Sequence, residues 1–139
     1  MKKIMMFLLA SGVFAGFLTA CDSIDDATNS YKNWAMSLSH TPAGDTISLN
    51  DPYLLSNHNM TFATETKNAG GNVQNVTNIT WILPPTSKGH DPRPFFYPAT
   101  PGKYDVMLLS TTFVTAGETM SITAEFSGIQ SSATITFTN

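Results

Sequence analysis

The carboxy-terminal stretch ETMSITAEFSGIQSSATITFTN, Glu118 to Asn139, constrains this chain more than any other part of it. Met120, Ile122, Ala124 and Phe126 alternate with Thr119, Ser121, Thr123 and Glu125. After Ser127-Gly128, the residues Ala133, Ile135 and Phe137 alternate with Thr134, Thr136 and Thr138. A period of two puts successive side chains on opposite faces of a strand. Two such runs joined by a turn signal therefore predict an antiparallel hairpin with one apolar face and one hydroxyl-rich face. Such a hairpin is stable only when its apolar face is covered by a second layer.

The rest of the chain supplies that layer in the same rhythm. NVTNITWILPP puts Ile79, Trp81 and Leu83 on one face before Pro84-Pro85 ends the run. NMTFATET, 59–66, turns Met60 and Phe62 inward, and TISL at 46–49 and WAMSLS at 34–39 are weaker strand candidates. GKYDVMLLSTTF is more continuously apolar, which suggests a strand buried on both faces or one that switches sheets. No segment has a convincing helical period. About seven strands in one domain from Trp34 to Asn139 give an all-β chain of the size and spacing of an immunoglobulin-like (Ig-like) β-sandwich. Trp81 then takes the place of the core tryptophan, and Phe62, Leu108, Phe126 and Phe137 join it in the core.

The last strand, Ala133-Thr134-Ile135-Thr136-Phe137-Thr138, with the glycine turn before it, resembles the end of bacterial Ig-like domains. That resemblance implies a spacer or binding module and carries over no catalytic residue.

The amino terminus has a different character. Met1-Lys2-Lys3 is followed by a nearly unbroken apolar run from Ile4 to Leu18, the layout of a secretory signal peptide. At about 15 residues the run falls short of the roughly 20 needed to span a bilayer as a helix. Leu18-Thr19-Ala20-Cys21 resembles the lipobox of bacterial lipoproteins: an aliphatic residue, two small residues, then cysteine. The resemblance implies cleavage before Cys21, so that 1–20 is a removable signal, with acyl chains on Cys21 holding the protein to a membrane. Two or more chains anchor durably where one does not. Asp22, in the next position, resembles the signal that retains lipoproteins in the inner membrane of enteric bacteria.

Cys21 is the sole cysteine of the chain, so no intramolecular disulfide or cysteine metal site can form. The polar segment DSIDDATNSYKN after it reads as a flexible tether, 21–33, with a short helix from Ile24 to Trp34 as the competing reading.

Without Lys2 and Lys3 the chain keeps five of its seven basic residues against ten acidic ones. So few cations cannot neutralise a run of phosphates, which argues against nucleic-acid binding. His40, His58 and His90 sit in the segments SHTP, NHNM and GHDP, read as surface loops, at no metal-binding spacing. Glu65, Glu118 and Glu125 fall on solvent-facing or end positions of the expected strands, and no serine occupies a nucleophile elbow. Neither a metal, a cofactor nor an enzymatic activity is expected.

The remaining candidate is PPTSKGHDPRPFFYPATPG, Pro84 to Gly102, which holds six of the eight prolines and a run of three aromatics. Arg93, Phe95, Phe96 and Tyr97 are the residues expected to contact a partner, since aromatics give large contact areas at small entropic cost. The competing reading makes one or two of these aromatics a core plug, or the run a short edge strand. The function that follows is a lipid-anchored envelope lipoprotein whose Ig-like module binds an envelope or surface protein. Its alternatives are an accessory lipoprotein of a secretion or surface-assembly machine and a periplasmic enzyme inhibitor.

Overall fold

The computed structural model describes residues 30–85 and 88–139. The signal segment, Cys21 and Asp22 lie outside the described residues, as does most of the expected tether. The compact body is Trp34–Asn139.

Nine strands are assigned among the described residues: β1 (Ala35–Thr41), β2 (Thr46–Ser48), β3 (Asn59–Lys67), β4 (Val73–Gln74), β5 (Thr80–Ile82), β6 (Phe96–Thr100), β7 (Lys103–Ser110), β8 (Thr119–Phe126) and β9 (Ile129–Thr138). One sheet has the order β1-β3-β7-β6, with β4 also paired to β3, and the other the order β2-β9-β8-β5. Leaving out β4, these are the strand orders A-B-E-D and A′-G-F-C of an Ig sandwich, with β1 and β2 as the two halves of a first strand divided between the sheets. The Ig-like all-β fold expected from the alternation is the fold observed. The strand count is higher than seven because β4 adds a two-residue rung and the proline-rich segment supplies an edge strand, β6.

The carboxy-terminal hairpin is β8–β9, in continuous register from Thr119↔Thr136 to Phe126↔Ile129. Its two-residue turn has both central residues at positive φ, Ser127 at 48° and Gly128 at 80°. That is the signature of a type I′ turn, whose twist matches the strands it joins. The inward set Met120, Ile122, Ala124 and Phe126 is buried, as are Ile135 and Phe137, while Ala133 is half-buried. From the opposite sheet Met60, Phe62, Phe96, Met107 and Leu109 pack against them. On the outer face the hydroxyls pair across the strands: Thr119 with Thr136 at 3.1 Å, Ser121 with Thr134 at 2.8 Å and Thr123 with Ser132 at 2.7 Å. Cross-strand pairs of this kind add a few tenths of a kcal/mol to about 1 kcal/mol each.

Several expectations are corrected. β7 neither changes sheets nor is buried on both faces: it lies between β3 and β6, with Met107 and Leu109 inward. Leu108 belongs to the half-buried outer face. Trp81 packs against the core as expected but is only half-buried, and its indole N–H donates to the Tyr104 carbonyl at 2.6 Å, which fastens β5 to the start of β7. The chain also has a helix, α1 (Pro52–Asn57), and two single 3-10 turns, Arg93–Phe95 and Thr111–Phe113. Helix α1 has a local cause. Asp51 accepts the Tyr53 N–H at 2.8 Å as the N-cap, Pro52 occupies the first turn, and His58 closes the end at φ 55°. Its one buried side chain, Leu54, docks it on the core.

Candidate functional site

The aromatic run does not form one surface, because β6 begins in the middle of it. Phe96 is the first residue of that edge strand and points into the core, with its ring centroid 6.0 Å from that of Phe62. Tyr97, one residue on, must point the other way. It is exposed on the outer face, where its hydroxyl donates to Asn59 Oδ1 at 3.0 Å. Phe95 lies in the 3-10 turn before β6 and stacks on Phe113 at 4.1 Å between centroids, with 12° between planes. The competing reading at the sequence level, a core plug followed by an edge strand, therefore describes Phe96 and Tyr97. At this end of the sandwich the exposed Arg93 and half-buried Phe95 are joined by Phe113, 52% exposed, which lies outside the proline-rich segment.

Arg93 is held in place from within its own turn. Asp91 accepts the Arg93 backbone N–H at 3.0 Å and clamps the guanidinium through both carboxylate oxygens, at 2.8 and 2.7 Å. A bidentate pair is short, directional and favourable to both charged forms. The Arg93 side chain and backbone bonds pull the Asp91 carboxyl from the ordinary 3.8 down to about 2. Asp91 in turn raises the guanidinium.

Two of the histidines differ from the expected surface loops. His40 is in β1, half-buried against Phe62, with Nδ1 2.7 Å from the Pro42 carbonyl. His90 is half-buried, and its Nδ1 lies 3.2 Å from Oε1 of Glu118. Glu118, expected at a solvent-facing strand end, is fully buried. The reason is already visible in the alternation. Counting back by two from Met120 gives Glu118 the parity of the inward residues, and a strand face stays inward as long as the sheet is covered.

One carboxylate oxygen of Glu118 is satisfied, since Oε2 accepts the Thr115 N–H at 2.7 Å. The approach of His90 is within ion-pair range but not aligned as a hydrogen bond, so Oε1 and the buried Nε2 of His90 each remain without one. Nearby, Lys88 Nζ donates to the Ala116 carbonyl at 3.1 Å. The stretch from Lys88 to Phe95 is thus fastened to the 113–118 segment at three points: Lys88 to Ala116, His90 to Glu118 and Phe95 to Phe113. This is a polar and aromatic clasp across one end of the sandwich. Among the described residues no group of three or more His, Cys, Asp or Glu is placed to hold a metal ion, and no helix is long and apolar enough to cross a membrane.

A concavity of about 510 Å³ lies at the side of the sandwich where the two halves of the first strand part. It is lined by Leu38 and His40 of β1, Asp45 and Thr46 at the start of β2, and Ser132, Ala133, Thr134 and Thr136 of β9. No motif in the sequence marks it, because it arises where the edge strand β1 of one sheet faces the part of β9 that β2 leaves uncovered in the other, and these are far apart in the chain.

No family model, curated protein or solved structure matches the chain.

Proposed function

We propose that this protein is a lipid-anchored lipoprotein of the bacterial cell envelope, with an Ig-like sandwich that acts as a protein-interaction module. The observation that carries the reading is a pairing. A lipobox-like Leu18-Thr19-Ala20-Cys21 stands a short way before a compact sandwich, and that sandwich leaves a stacked Phe95–Phe113 pair beside a clamped Arg93 at one end. Aromatic and arginine side chains are the residue types enriched at the energetic centres of protein interfaces. Arg93 is pre-ordered by Asp91 and Phe113 by its stack, so neither has to be immobilised afresh when a partner docks.

Chains on Cys21 bring the module to the membrane surface, and the end patch supplies the contact. Asp22 is the residue proposed to bias sorting toward the inner membrane.

Two measurements test the reading. In a bacterial host fed an alkyne fatty acid, the wild-type chain takes up label and fractionates with membranes, while Cys21→Ser does neither. Unlabelled wild type would refute the anchor. In cross-linking from intact envelopes, Arg93→Ala and Phe113→Ala each lower the yield of the wild-type adducts. Unchanged adduct yields in both variants would refute the end patch.

A further inference from the structure

The side cleft has a property that selects its occupant. Along β9, backbone groups alternate between the two edges as side chains alternate between the two faces. Phe137 faces β8, since its N–H bonds to Glu118 and its carbonyl accepts from Gly117. Thr136 and Thr138 face β2, since the Thr136 N–H bonds to Asp45 and the Thr138 carbonyl accepts from Leu49. By the same alternation Thr134 and Ser132 present their N–H and C=O groups on the β2 side. The register with β2, however, begins only at Thr136.

The opposite wall is a free edge as well. The Leu38 N–H points away from β3 and donates to Ser131 Oγ at 3.0 Å, so His40, two residues on, presents its backbone to the cleft too. Two strand edges thus flank one opening: that of β9, where Ser132 and Thr134 precede the register with β2, and that of β1, where the Leu38 N–H is capped by the Ser131 hydroxyl.

We infer that this cleft is a docking groove for an extended segment of another protein, which adds to the free edge of β9 at Ser132 and Thr134 as a continuation of β2. This rests on the domain being an interaction module and names the kind of partner that it would take. Main-chain bonds supply affinity in strand addition, and alternate side chains supply selectivity. The inner wall here is Leu38 and Ala133. Ala133 is the one small residue in an inward row continued by Ile135 and Phe137, and it leaves room for one medium-sized apolar side chain of the guest. Asp45, at the β2 end, is an exposed carboxylate, which favours a lysine or arginine on the guest. The four steps from Ser132 to Thr136 span about 13 Å, the length of a four- or five-residue strand.

The probe is the peptide Ac-Lys-Thr-Val-Thr-Ile-Thr-NH2, titrated into the ¹⁵N-labelled chain carrying Cys21→Ser. The expected result is saturable amide shifts at Leu38, Ser132 and Thr134, with exchange of the Ser132 and Thr134 amides slowed about tenfold or more in the bound state. A peptide with proline in place of Val and Ile lacks the donors and leaves those amides unchanged. Ala133→Phe fills the inner wall and abolishes the shifts. Asp45→Asn, on an exposed side chain that leaves the fold intact, weakens them severalfold at low salt.

Absence of shifts at millimolar peptide, shifts confined to other surfaces, or equal binding by Ala133→Phe with a native melting curve overturns the inference. Protection of the same amides by raising protein concentration alone would assign the cleft to a second copy of this chain and overturn it too. Acyl labelling and cross-linking at the Arg93–Phe113 patch read the anchor and the end of the sandwich, so a silent peptide leaves those readings standing.

Discussion

Replacing Glu118 by alanine removes the one fully buried carboxylate of the domain. A hydrogen bond to a charged group contributes roughly 1.5–3 kcal/mol, and the 2.7 Å bond from Thr115 is of that kind. Because Thr115 is exposed and its N–H can turn to water, the lower half of the range applies. Truncation also removes one buried methylene at about 0.8 kcal/mol, so the expected loss is about 2.5 kcal/mol. For a domain of this size that lowers Tm by about 10 °C or more.

Glu118→Gln keeps the volume and the acceptor for Thr115 and loses only the charge facing His90, so it should cost about half as much. Urea unfolding followed by tryptophan fluorescence measures both. A double-mutant cycle with His90→Ala should give a coupling of at least about 0.5 kcal/mol, the lower bound for side chains in contact. An alanine variant less stable by under about 1 kcal/mol would refute the burial argument. Additive single variants would refute the pairing with His90 while leaving the Thr115 bond in place.

Three further outcomes follow from the same structure. Phe62→Ala empties a fully buried position between the sheets and should destabilise by about 3–5 kcal/mol in urea unfolding, provided the variant still folds. Asp51→Ala removes the N-cap of α1 and should cost about 1 kcal/mol, with faster amide exchange at Tyr53 and Leu54 as the local readout. The Asp91 carboxyl should titrate near pH 2 by ¹³C NMR and return toward 3.8 in Arg93→Gln. Its pKa is depressed in the folded chain, so the order it gives the 91–93 turn is fully present above about pH 3.8 and is lost as pH falls through about 2. A wild-type midpoint near 3.8 would show that the clamp does not form in solution.

Much of the candidate site could be read from the residues, but unevenly. Arg93 and Phe95 are at the end patch where the proline-rich, aromatic segment suggested contact, whereas Phe96 is in the core and Tyr97 on the outer sheet face. A strand start in the middle of the aromatic run causes the split: consecutive residues of a strand point in opposite directions, so adjacent aromatics cannot share a surface. Helix α1 was also legible, in the Asp51-Pro52 pair of a cap and first turn, yet its single buried turn gives no helical period for a pattern argument to find. The parity of Glu118 was likewise present, and was outweighed by the expectation that a carboxylate at a strand end meets water.

The sequence by itself determined that the chain is β, which residues of the last hairpin face inward, and where that hairpin turns. Alternation and turn chemistry are local, within reach of a few residues. It also carries the lipobox-like cysteine, which no folded contact is needed to recognise. Tertiary structure decided the rest: that the first strand divides between two sheets and leaves a cleft, that Phe113 comes to lie under Phe95, and that His90 meets Glu118. Backbone hydrogen bonding pairs any strand with any other, so neighbours are chosen by the joint packing of the two apolar faces. That choice brings together residues separated by 28 positions in the chain, as Lys88 and Ala116 are, and no local pattern encodes it.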